Sequence, residues 1–130
     1  MTKVYDYLEH AKTYYLSTIE GNKPKTRPFG TILLYKDKLY FLTGANKDVS
    51  KQMHANPNVE ICASLDNTWM RIAASVCLDE RIEPKKMMLD AYPFLRSHYS
   101  EFDTNTEVWY LEHAKATIYQ LDQIKEVISF

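Results

Sequence analysis

Lys25 and Arg27 stand two residues apart in a stretch rich in β-branched and aromatic residues, and side chains two apart on a strand share one face. They adjoin Pro28-Phe29-Gly30, where proline and glycine bend the chain. A second group of candidates begins where Thr43-Gly44 ends another strand. The turn and helix that follow carry Asn46, Lys47, Ser50 and Lys51, with the two lysines four apart on one helical side. A helix start flanked by a hydroxyl, an amide and two ammonium groups is a phosphate receptor, because free N–H groups and the helix dipole add to the lysine charge. The same pattern also suits a solvated basic helix, and spacing alone leaves both readings open.

Other chemistries find less support. Cys62 and Cys77 each sit in an alternating apolar run rather than in a Cys-x-x-Cys pair, and His10, His54, His98 and His113 are scattered, so no metal site is expected. The three glycines, Gly21, Gly30 and Gly44, form neither a dinucleotide fingerprint nor a phosphate-binding Walker loop. Sixteen basic against 17 acidic residues give a net charge of -1. That balance argues against nucleic-acid binding by a general field, although the ten tyrosines make a small single-strand-binding barrel worth weighing. No apolar run approaches a membrane span, and the first residues lack the apolar core of a signal peptide, which predicts a soluble, cytoplasmic protein.

The elements that position these groups follow from hydrophobic period. Val4, Tyr7, Leu8 and Ala11 predict a helix over 3–11 behind Thr2 as N-cap. Residues 14–19 alternate as a strand, 24–35 read as one long bent strand, and 39–43 as a third. A helix over 47–55 stops at Asn56-Pro57. Strands are then predicted over 59–65 and 70–79, the latter with the clearest alternation in the chain. Helices over 84–91 and 94–99 precede closing strands at 108–111, 117–121 and 126–130. With 130 residues, 45% apolar and 25% charged, the chain is a single domain, residues 1–130. Meandering strands without regular helical crossovers predict a mainly β fold: an antiparallel split β-barrel of about six or seven strands with peripheral helices.

Five segments together carry a family resemblance. Thr-Arg-Pro-Phe-Gly (26–30), Lys-Leu-Tyr-Phe-Leu-Thr-Gly (38–44), Asn-Lys-Asp-Val-Ser-Lys-Gln-Met (46–53), Asn-Pro-Asn-Val-Glu-Ile (56–61) and Trp-Met-Arg-Ile (69–72) resemble the FMN-binding split β-barrel proteins. These form the pyridoxamine 5'-phosphate oxidase-like superfamily, and Ala-Tyr-Pro-Phe-Leu (91–95) and Glu-Val-Trp-Tyr-Leu (107–111) look like its short nitroimidazole-resistance and general stress branch. The resemblance implies a homodimer with FMN in clefts at the subunit interface. It puts Arg27 and Pro28 on the flavin-contacting strand, Thr43 at the strand end that meets the cofactor, and Asn46, Lys47 and Lys51 around the phosphate. The oxidase pattern has a lysine eight residues before the Asn-Pro proline, where this chain has Val49, so either Lys47 or Lys51 could reach the phosphate. Lys51 is favoured, since a helical turn can bring it back over Gly44. Trp109 looks like the flavin-contacting tryptophan of the oxidases, Trp69 opens the strand that the resemblance takes near the ring, and each equally suits a core or interface anchor.

The departures bear on activity. The Arg-Leu-His-type segment of the oxidases is replaced by Ala114-Lys115-Ala116-Thr117, and the chain ends Ile128-Ser129-Phe130 in place of their Arg-x-x-Pro terminus. Pyridoxamine-phosphate oxidase activity is therefore not expected. The resemblance implies instead a flavin reductase-like or nitroreductase-like oxidoreductase that passes electrons between small molecules. The rival is a non-catalytic flavin- or haem-binding carrier or sensor, for which His54 and His113 would be the residues to examine.

Overall fold

The computed structural model describes residues 1–130. Eight antiparallel strands form one curled sheet: β1 (Tyr14–Glu20), β2 (Lys23–Phe29), β3 (Leu33–Tyr35), β4 (Lys38–Gly44), β5 (Asn58–Leu65), β6 (Thr68–Asp79), β7 (Thr106–Gln120) and β8 (Gln123–Ser129). Their spatial order is β2-β1-β5-β6-β7-β4-β3, and β8 pairs with β7. The helices are α1 (Thr2–Ala11), α2 (Asp48–Ala55) and α3 (Ile82–Ala91), with a 3-10 segment at Pro93–Ser97. No helix is long and apolar enough to cross a membrane.

Alternation translates directly into an inner face. Tyr14 and Leu16, Ile61 and Ala63, Met70 and Ile72, and Ala116 and Ile118 point into a core closed by Val4 and Leu8 of α1 and by Val49 and Met53 of α2. From Leu39 to Gly44, β4 is buried at every position because both its faces are covered. Phe41 looks inward, while Tyr40 and Leu42 look outward into a second cluster with Met88 and Leu89 of α3. A continuous apolar run is the expected signature of such a two-sided strand. Every buried side-chain N and O has a hydrogen-bond partner.

Besides shifts of two or three residues at α3, the 3-10 segment and β8, three features differ from the sequence reading. The stretch 24–35 is two strands, because the chain leaves β1 after Phe29 and pairs with β4 from Leu33 onward. The crossing at 30–32 is pinned by the Tyr14 hydroxyl, which donates to Thr31 O at 2.6 Å, and by Tyr92, whose hydroxyl meets both Ile32 N and Ile32 O at 3.1 Å. Conversely, the strands expected at 108–111 and 117–121 are one. β7 runs through a bend at His113 (φ 51°) that faces the irregularity between Ala73 and Ser75 of β6, and one side pairs with β4 and then with β8. At the N-terminus Met1, not Thr2, takes the cap position, and no side chain caps the helix.

The outer face of the sheet is covered unevenly. α3 and the 3-10 segment lie over β3, β4 and the start of β7. Across the other strands the outward ladder Pro28–Tyr15–Cys62–Arg71–Thr117–Val127 carries no helix. Beside it Trp69 stacks on Tyr119 at 4.1 Å, with the Arg71 guanidinium 5.2 Å from the indole.

Candidate functional site

The end of β2, the end of β4 and the start of α2 meet at a cleft of about 300 Å³. Arg27, Pro28, Thr43 and Lys47 line it together, with Val49 and Leu95 among its apolar walls. It continues at both ends. Lys47 and Tyr99 are shared with a polar hollow of about 440 Å³ that also holds Asn46, His98 and Asn105. Gly30, Thr31 and Leu95 are shared with an apolar groove of about 550 Å³ bounded by α1 and Tyr92. A separate hollow of about 260 Å³ lies between β1, β2 and β5, and no basic residue lines it.

Arg27 is the half-buried cation of the cleft. Its Nη1 donates to Thr18 Oγ1 at 2.7 Å and to Leu16 O at 3.3 Å, and its Nη2 donates to Gln52 Oε1 at 2.7 Å. The Thr18 hydroxyl also donates to Gln52 Oε1, and Gln52 Nε2 donates to Glu20 Oε2 at 3.1 Å. Burial lowers the guanidinium pKa, and the Asp48 carboxylate pulls it the other way. Much of the fork is thus spent within the chain, where it ties β2 to α2. The charge and the remaining N–H groups are what the cleft can use.

Lys47 is the N-cap of α2 in extended backbone (φ -86°, ψ 148°), with no side-chain cap bonded to the helix start. It is therefore not on the helical face of Lys51. Lys47 lines the cleft, whereas Lys51 is exposed and lines none of the hollows described. Around the turn, Asn105 accepts from Asn46 N through Oδ1 at 3.0 Å and from Ala45 N through its carbonyl at 2.7 Å. A Cβ on Gly44 would stand 2.7 Å from Asn46 Oδ1 and 3.0 Å from Asn105 Nδ2, so a larger residue there would push these amides out of place. Asn46 thus sits on the shelf next to the cleft.

The two tryptophans lie elsewhere. Trp109 is buried in the core, its Nε1 donating to Glu107 Oε1 at 3.1 Å, and Trp69 lies on the open sheet face with Nε1 donating to Leu121 O at 3.1 Å. His54 packs edge-on against Trp109 at 4.9 Å, with Nε2 3.5 Å from Glu107 Oε2, and His113 is exposed at the β7 bend. Neither histidine lines the cleft. No group of three His, Cys, Asp or Glu side chains is placed to hold a metal ion. The Cys77 thiol donates to Glu112 Oε1 at 2.9 Å, and burial pushes its pKa up, away from thiolate chemistry.

Two participants were not anticipated from sequence. Gln52 is a polar residue on the buried side of α2, beside Met53, and such a misplaced polar group is the signal that could have marked it. Glu107 shares strand parity with Trp109, which puts a carboxylate on an inward face. It accepts from the Ser50 hydroxyl at 2.6 Å and so anchors the first turn of α2 from below.

The donor set is cations, a hydroxyl and an uncapped helix start at one end of a cleft with apolar walls. That composition fits a phosphate monoester attached to a planar apolar body. No protein-family model matches the chain, and no curated protein does. Among solved structures, a NimC/NimA family protein from Clostridium acetobutylicum is 34% identical, over 100% of this chain and 93% of that one, with a TM-score of 0.95. The general stress protein 26 of Bacillus anthracis is 16% identical over 99% of this chain and 97% of its own, with a TM-score of 0.78. A pyridoxamine 5'-phosphate oxidase-related, FMN-binding protein from Nostoc punctiforme is 16% identical over 99% and 93%, with a TM-score of 0.67. These last two share the fold.

Proposed function

The chain belongs to the NimC/NimA family, within the pyridoxamine 5'-phosphate oxidase-like split barrels, and we propose that it is an FMN-binding oxidoreductase. The observation that carries this reading is the convergence of Arg27, Thr43, Lys47 and the uncapped start of α2 on one apolar-walled cleft. The Nostoc punctiforme protein of the same fold, described as FMN-binding, supports the choice of cofactor.

In this reading Lys47 and the first N–H groups of α2 hold the phosphate. Arg27 supplies charge from a fixed position and Thr43 a hydroxyl, while Pro28, Phe29 and Leu95 exclude water from the ring. Asp48, in the first turn of α2, offsets part of the positive charge. Bound flavin supplies the electron transfer, and the protein supplies position, electrostatics and a dry surface. The activity is flavin reductase-like or nitroreductase-like, between a small-molecule donor and acceptor in the cytoplasm.

The functional unit is a homodimer. The uncovered ladder through Tyr15, Cys62 and Arg71, together with the Trp69–Tyr119 stack, is the contact surface, and in the dimer it presents Trp69 to the partner. Anaerobic addition of reduced nicotinamide to the FMN-loaded protein tests the activity. Bleaching of the flavin bands, reversed by a nitroaromatic or a quinone, supports an oxidoreductase. An unchanged spectrum in intact holoprotein would replace it with a flavin carrier.

A further inference from the structure

Past Lys47 the cleft opens into the polar hollow of about 440 Å³ formed by Asn46, Lys47, His98, Tyr99 and Asn105. Lys47 and Tyr99 line both spaces, so a phosphate held at Lys47 stands at their junction. The hollow beyond it is larger than the cleft of about 300 Å³ before it. A ligand that ended at that phosphate would leave the larger space unused.

The hollow is fixed by the backbone. Asn105 holds the turn after Gly44 by accepting from Ala45 N at 2.7 Å and from Asn46 N at 3.0 Å, and its own N–H donates to Asp103 Oδ1 at 3.1 Å. His98 N and Tyr99 N both donate to Leu95 O, at 3.0 and 2.9 Å. The Asn46 and Asn105 amides lie against Gly44, which has no side chain to lift them.

The side chains that line it are free for a ligand. The bonds of Asn46, Lys47, His98 and Tyr99 to the rest of the chain run through their backbone, and Lys47 and His98 make no ion pair. Of the Asn105 amide only Oδ1 is engaged. No carboxylate lines the hollow. Asp48, next to Lys47, lines neither space, and Asp103 is turned into its own loop, where it accepts from Ser100 N, Asn105 N, Thr106 N and the Thr106 hydroxyl. Carboxamides match the donor and acceptor edge of adenine, an imidazole offers the base a face to stack on, and an ammonium and a phenol hydroxyl suit a phosphate.

We propose that the hollow binds an adenosine 5'-phosphate unit carried beyond the phosphate at Lys47, so that the site takes FAD as well as FMN. The second phosphate lies by Lys47 and Tyr99, and the base lies by His98 and the two amides. That a flavin carries the unit rests on the reading above; the hollow's own affinity for it does not.

The test is calorimetric titration of the full-length protein, prepared without flavin, with FMN, FAD and ADP. FAD should saturate one site per chain at least as tightly as FMN, and ADP should bind and be displaced by FMN, since each puts a phosphate at Lys47. His98 is exposed and lies outside the basic cleft. His98→Ala should therefore keep the fold and the FMN affinity while weakening FAD and ADP about tenfold, the effect of losing one stacking partner. His98→Glu sets a carboxylate beside the second phosphate and should weaken both further. FAD about tenfold weaker than FMN in the wild type, no saturable ADP binding, or FAD and ADP affinities unmoved by both substitutions would overturn the proposal, and FMN binding in the same titrations would leave the flavin reading standing. ADP binding with this sensitivity to His98, while neither flavin binds, would uphold the hollow and overturn the flavin reading.

Discussion

Arg27 on β2 donates through Nη2 to Gln52 Oε1 on α2 at 2.7 Å, and the same oxygen accepts the Thr18 hydroxyl of β1. One amide oxygen thus joins the strand that walls the cleft to the helix that begins it. Gln52 is buried, so the bond forms where water cannot replace it.

Gln52→Ala should therefore cost about 1.5 to 3 kcal/mol, the usual range for a hydrogen bond to a charged group. Arg27→Lys should not preserve stability, because a point ammonium cannot serve Thr18 and Gln52 as a planar fork does. Urea unfolding measures both. Midpoints equal to wild type would show that this junction does not hold α2 in place.

Glu107 is the second fastening of α2. Its Oε1 receives Ser50 at 2.6 Å and Trp109 Nε1 at 3.1 Å. Glu107→Leu strands a buried hydroxyl and a buried indole N–H, at about 1 to 3 kcal/mol for each. Glu107→Gln keeps an acceptor oxygen and should fall between that variant and wild type. If Leu and Gln destabilise equally, the carboxylate acts through its charge and not as an acceptor.

The acid limb of the stability curve should carry the mark of Asp79. The Arg81 side chain donates to both its oxygens, at 3.0 and 2.8 Å, and Tyr40 adds a bond at 2.8 Å. Led by the bonds from Arg81, and despite burial, its pKa is held down at about 2. A carboxylate depressed in the folded state contributes stability that is full above its unfolded pKa near 4 and is lost as pH falls towards about 2. Asp79→Asn should be less stable than wild type at pH 7, with the gap closing between about pH 4 and pH 2. Urea midpoints taken across that window check the sign, and a gap that widens on acidification would refute it.

Light scattering at micromolar protein should give about twice the 15.3 kDa mass of the chain. Tyr15 is 50% exposed on the open ladder, so Tyr15→Glu should leave the fold intact and shift the mass towards one chain. A monomeric wild type would remove the basis for a shared cleft.

How far the sequence discloses this structure depends on the range of the information. Alternation in β1, β5 and β6 shows which residues face the core, because one face of each is buried and period two follows. β7 is not legible in the same way. Ala114-Lys115-Ala116 offers no β-branched signal, and the bend at His113 breaks the parity that would join its halves. The cleft is partly legible, since Arg27 adjoins the bend at Pro28-Phe29-Gly30, Thr43 ends the following run and Lys47 begins the next element. The choice between Lys47 and Lys51 is not, because counting by four assumes that both are helical, while Lys47 is an extended cap residue. Gln52 meeting Arg27, and Tyr92 meeting Ile32, are pairings across the fold that no local pattern encodes.

The measurement that bears most directly on the flavin site is a paired titration of FMN and riboflavin, by flavin fluorescence, at low and high salt. Only FMN carries the phosphate, so its affinity should exceed that of riboflavin and should fall more steeply with salt. Lys47→Ala should weaken FMN roughly ten- to hundredfold while leaving riboflavin nearly unchanged, and Lys51→Ala should alter neither. Equal affinities for FMN and riboflavin in the wild type, or an FMN affinity unmoved by Lys47→Ala, would contradict a phosphate site at the start of α2.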